Sequence, residues 1–64
     1  MIKIGLLVER DVHFAGAPAR LIVKGYVQQE VAEAVVVKIE WVNGQRLVQP
    51  YVDVAPKMLW YPAN

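Results

Sequence analysis

Asn43-Gly44 is the pair of residues that most restricts how this chain can fold. It separates two β-rich runs, Val35-Val36-Val37-Lys38-Ile39-Glu40-Trp41-Val42 and Gln45-Arg46-Leu47-Val48-Gln49-Pro50-Tyr51-Val52. A two-residue hairpin loop of type I′ needs positive φ at both central residues, and Asn followed by Gly meets that need at low steric cost. Such a loop also fixes register. Val42 is expected opposite Gln45, Trp41 opposite Arg46, Ile39 opposite Val48, Val37 opposite Pro50 and Val35 opposite Val52.

Side chains alternate across a sheet, so this register sorts the hairpin into two faces. One carries Val35, Val37, Ile39, Trp41, Val48, Pro50 and Val52 and reads as core, with Arg46 covering Trp41 at the rim. The other carries Val36, Lys38, Glu40, Val42, Gln45, Leu47, Gln49 and Tyr51. It is too apolar for a plain solvent surface and too polar for a core. Val36, Lys38, Leu47, Gln49 and Tyr51 are therefore the expected interaction face.

The rest of the chain supplies more short strands. Ile2 to Val8 predicts a first strand with a bend or a close backbone approach at Gly5, continued irregularly through Val12 and Phe14 until Ala15-Gly16-Ala17-Pro18 breaks it. Arg20 to Val27 predicts a second, with Gly25 where a curling sheet needs a kink. In Gln28 to Ala34, the spacing of Val27, Val31 and Ala34 and the helix-forming Gln, Glu and Ala point to a helical turn or a long loop. Pro50 belongs at an edge, a bulge or a junction, because proline cannot donate to a ladder. Val54 to Leu59 predicts a short helical or 3₁₀ turn, and Trp60-Tyr61 a brief last strand stopped by Pro62.

The expected fold is all-β and mainly antiparallel: a five-stranded, SH3-like barrel with one short helical or 3₁₀ turn, in a single domain over 1–64. An open sheet packed by a helix at Gln28–Ala34 is the alternative.

Composition bears on what such a fold can do. Of the 64 residues, 56% are hydrophobic, more than the interior of so small a domain can hide. The surplus predicts a homo-oligomer or a protein partner. A formal net charge of +1 is far from the strongly basic balance of a typical nucleic-acid-binding domain. Even so, Lys24, Tyr26 and Lys38 are candidate contacts for a single strand, by stacking and phosphate pairing. No apolar run is long enough for a membrane helix and no signal-peptide pattern is present, so a cytoplasmic location is expected.

The chain has no Ser, Thr or Cys, which excludes a nucleophile of those types. His13 has Glu9 and Asp11 nearby in sequence but no further partner, and it reads as a surface histidine. The carboxylates Glu9, Asp11, Glu30, Glu33, Glu40 and Asp53 follow no metal-ligand spacing, and the four glycines stand alone rather than forming a phosphate loop. No catalytic residue, metal site or cofactor is expected from these residues.

Val48-Gln49-Pro50-Tyr51, followed by Val54-Ala55, resembles the Val-Gln-Ile-Tyr segment of the plasmid-borne type II dihydrofolate reductases. Ile22-Val23-Lys24-Gly25-Tyr26 is loosely similar to that family's second strand. The resemblance implies an SH3-like barrel that assembles as a tetramer around a shared pore, with Gln49 and Tyr51 in the places that contact folate and nicotinamide. Two positions depart from the pattern: Pro50 stands where the family has Ile, and Val12 where it has a pore lysine.

Overall fold

The structure, a computed structural model, describes residues 2–13, 15–16 and 19–63. The chain forms β1 (Leu7–Val12), β2 (Leu21–Val31), β3 (Ala34–Val42), β4 (Gln45–Pro56), a 3₁₀ turn (Lys57–Leu59) and β5 (Tyr61–Pro62). All pairings are antiparallel, in the order β4-β3-β2-β1-β5. β4 and β5 are the two edges and share no ladder, so the expected barrel is not closed by backbone pairing. Phe14, Ala17 and Pro18, part of the predicted continuation and break, lie outside the described residues.

Several elements differ from the sequence reading. The first strand begins at Leu7 rather than Ile2, because Gly5 turns the chain at φ 89° and the Leu6 N–H closes that turn on the Lys3 carbonyl at 3.1 Å. Gln28–Ala34 is neither helix nor long loop. β2 runs on to Val31, Ala32-Glu33 make a tight turn, and Ala34 starts β3. Helix-forming residues yield here to pairing, since the Val-rich β3 is best satisfied by a long partner on each side. The final strand is displaced by one residue, and Pro62 lies within it, opposite Val8. There the neighbouring Ala63 N–H bonds to the Leu7 carbonyl at 2.9 Å, so the missing proline donor is not needed.

Asn43 and Gly44 take φ 51° and 80°, the conformation their sequence predicts. The first pairs follow: Val42 faces Gln45 and Trp41 faces Arg46. Beyond them the ladder slips. Ile39 faces Tyr51 instead of Val48, and the pairing continues as Lys38 with Val52, Val37 with Asp53, Val36 with Val54 and Val35 with Ala55. The residues between Arg46 and Tyr51 form a bulge on β4. A displacement by an odd number of positions turns every later β4 side chain to the opposite face.

A second irregularity acts on Trp41. In the β2–β3 ladder, Gly25 faces Ile39 but Lys24 faces Trp41, which leaves Glu40 as an extra residue. Gly25 is indispensable at this point: a Cβ there would lie 1.8 Å from the Lys38 carbonyl oxygen and 2.8 Å from the Ile39 Cα. The sequence-based expectation of a kink at Gly25 has this close approach as its physical content.

The core is Val8, Val23, Val27, Val35, Val37, Ile39, Ala55 and Trp60, with Ile2, Leu6, Val12, Val42 and Leu47 packed against it. Val35, Val37 and Ile39 are where the hairpin predicts them. Trp41, Val48 and Val52 are not in the core, and Val48 is 99% exposed. Ala55 and Trp60 take their places, with Trp60 Nε1 donating to the Ala55 carbonyl at 3.4 Å.

Candidate functional site

The expected interaction face is divided by the β4 bulge. Val36 and Lys38 remain together on the outer side of the sheet, half-buried and exposed respectively. Leu47 instead packs against the core, and Gln49 is exposed within the bulge. Tyr51 pairs with Ile39 on the inner side and is 45% exposed. Val52 and Val54 occupy the places beside Lys38 and Val36, with 61% and 59% of their surface exposed. The outer side of β3 and β4 is thus more apolar than the sequence reading implies.

A second group lies on the same outer side. Lys24, Tyr26 and Lys38 are neighbours, with Tyr26 opposite Lys38 and Lys24 opposite Trp41. Trp41 is the centre of this group. Tyr26 meets it edge-on with ring centroids 6.0 Å apart, while Lys24 Nζ and Arg46 Cζ lie 5.2 and 5.0 Å from its centroid. The predicted Arg46–Trp41 contact is present, but outside the core. Arg46 also donates to Glu40 at 3.0 Å. Cations held over an indole face gain from its quadrupole, typically by about 0.5–1 kcal/mol at exposed sites. Sequence reasoning missed Trp41 as a surface residue. Lys24 and Tyr26 share a face by their spacing on β2, but nothing in the sequence announces the extra residue at Glu40 that turns Trp41 to their side.

The inner side holds a polar group that sequence reasoning also missed. Arg10, on β1 opposite Val23, forms an ion pair with Asp53 of β4 and lies over Trp60 at 5.0 Å. Both charged side chains are largely covered, and Arg10 Nε is buried with no acceptor among the described residues. Tyr51 adjoins this pair. Burial, and then the Asp53 carboxylate, push its phenol above the ordinary value, while Arg10 acts in the opposite direction. The pair spans strands that are not hydrogen-bonded neighbours and ties one side of the sheet to the other.

Two further ion pairs stabilise the ends. Lys57 Nζ meets Glu30 at 2.7 Å, and that hydrogen bond raises the lysine above its ordinary pKa. Arg20 reaches Asp11 at 3.6 Å. His13 is exposed. Among the described residues no three His, Asp or Glu side chains gather to hold a metal ion, and no helix is long and apolar enough to cross a membrane.

The free edge of β4 is the remaining feature. Pro56 faces Ala34, and the Lys57 N–H beyond it bonds to the Glu33 carbonyl at 2.7 Å. In an antiparallel ladder, hydrogen-bonded and non-bonded pairs alternate. Ala55, Asp53 and Tyr51 therefore turn their N–H and C=O groups toward β3, and Val52 and Val54 turn theirs outward. Compared with known protein families, with curated proteins and with solved structures, the chain matches none of them.

Proposed function

We propose that this chain is a non-catalytic, SH3-like barrel module that binds protein, in the first place a second copy of itself, through the outer side of β3 and β4. The observation that carries this reading is the exposure of Val52 and Val54 beside Val36 and Lys38 on a long edge strand. Contiguous apolar surface of this kind marks interaction sites in soluble proteins. The chain's high apolar fraction supports the same reading, and its lack of Ser, Thr and Cys supports a non-catalytic role. The barrel part draws support from the strand order, the 3₁₀ turn before β5 and the Arg10–Asp53 pair across the inner side. Light scattering coupled to size exclusion tests the module. Assembly is expected at tens of micromolar, and a strict monomer there rules out self-association.

A second reading has its own observation. Lys24, Tyr26, Lys38, Trp41 and Arg46 form a cationic-aromatic group suited to a single nucleic-acid strand. It predicts binding to single strands at low salt that weakens steeply as salt rises. Absence of a gel shift at low salt removes it.

A further inference from the structure

We infer that two copies of this chain join edge to edge through β4, antiparallel, with Val52 of one copy opposite Val54 of the other. The inference rests on the self-association reading and specifies its geometry. It starts from the backbone. Val52 and Val54 direct their N–H and C=O groups to the free edge, as the Ala34–Pro56 pair and the Lys57–Glu33 bond require. Pro50 and Pro56, two residues to either side, have no N–H. They limit any added ladder to the window between them.

That window is symmetric. Pro50, Val52, Val54 and Pro56 are evenly placed about Asp53, so a two-fold axis at Asp53 maps Val52 onto Val54 and Pro50 onto Pro56. An isologous contact has this property: residue i meets j while j meets i. In this register each Val52–Val54 pair exchanges both of its backbone bonds, and the facing prolines leave no donor unused. Sliding by two residues in either direction puts a proline opposite one valine and strands that valine's carbonyl. A partner of arbitrary sequence has no need of such symmetry, which favours a second copy over an unrelated strand.

The side chains agree with the backbone. Val52 and Val54 of both copies would form one apolar strip on the outer side, extended by Val36 of each copy. On the inner side the axis brings Asp53 near its counterpart, a like-charge approach that would oppose pairing by itself. Each Asp53 is already joined to its own Arg10, so the axis carries two neutral pairs rather than two free carboxylates.

Amide hydrogen exchange on the full chain, read by NMR over a dilution series, tests this geometry. The Tyr51, Asp53 and Ala55 amides should be protected at every concentration, because they bond to β3. The Val52 and Val54 amides should gain at least about tenfold protection only where light scattering reports a dimer. If the protein is dimeric while both valine amides stay unprotected, the edge geometry is wrong and self-association through another surface stands. If it is monomeric throughout, both fall. A second measurement uses Val54→Pro, which removes an edge donor without touching a β3 bond. A folded Val54→Pro variant that remains fully dimeric also overturns the proposal; loss of its dimer supports it.

Discussion

The two hairpins that share β3 are built on different chemistry. At Asn43-Gly44 both residues adopt positive φ, and the Asn43 side chain accepts from the Ile22 N–H at 2.8 Å while its own N–H bonds to the Ile22 carbonyl. At Ala32-Glu33 an alanine holds φ 54° with no side chain suited to it. Yet the better turn leads the poorer register. Beyond Asn43-Gly44 the β3–β4 ladder slips and never recovers, whereas the shifts in β2–β3, one at Gln28 and one at Glu40, cancel. Turn chemistry governs the pairs beside the turn. Further along, burial of Val35, Val37 and Ile39 against Ala55 and Trp60 decides.

Four substitutions can break or sharpen that contrast. Gly25→Ala has the largest expected effect, a loss of more than about 3 kcal/mol, because its methyl group would meet backbone rather than a movable side chain. Urea denaturation measures it, and a small loss would mean that the β2–β3 approach is looser than described. Asn43→Ala should cost about 1–2 kcal/mol, since it removes the bond to Ile22 and leaves a β-carbon at positive φ without compensation. The opposite sign is expected at the other turn. Ala32→Gly should stabilise by about 0.5 kcal/mol, the relief of left-handed strain outweighing the added chain entropy. Val48→Lys should change stability by less than about 0.5 kcal/mol, as for an exposed site. A loss of several kcal/mol there would restore the register that the turn alone predicts.

The hairpin, the all-antiparallel sheet, the 3₁₀ turn and three of the central core residues were legible in the sequence because each depends on local chemistry or on alternation over a few residues. The β4 register was not. Alternation predicts a face only while the ladder is unbroken, and nothing in Leu47-Val48-Gln49-Pro50 except the proline announces a bulge. This is why Tyr51 does not share a surface with Lys38, and why Val52 and Val54 do. The β2–β3 turn was hidden for a different reason. Ala32 and Glu33 are ordinary helix formers, and only the long-range demand of β3 for a partner forces them into a turn. The Lys24–Tyr26 pair could be read from spacing; Trp41 at its side could not, because the extra residue at Glu40 intervenes.

The ion pair between Arg10 and Asp53 has a kinetic meaning. Its members are separated by 43 residues, and the core likewise contains both Val8 and Trp60. Each hairpin can form from its own neighbourhood, but the interior is sealed only when β1 and the segment from Trp60 through β5 meet. Contacts of such long range close late and slowly compared with local turns. On the ribosome, β1 to β4 would emerge as a half-covered sheet and wait for β5 before β1 could be held on both sides. For that interval the valines of the inner face are open to water, and the core closes only after Trp60 has been made.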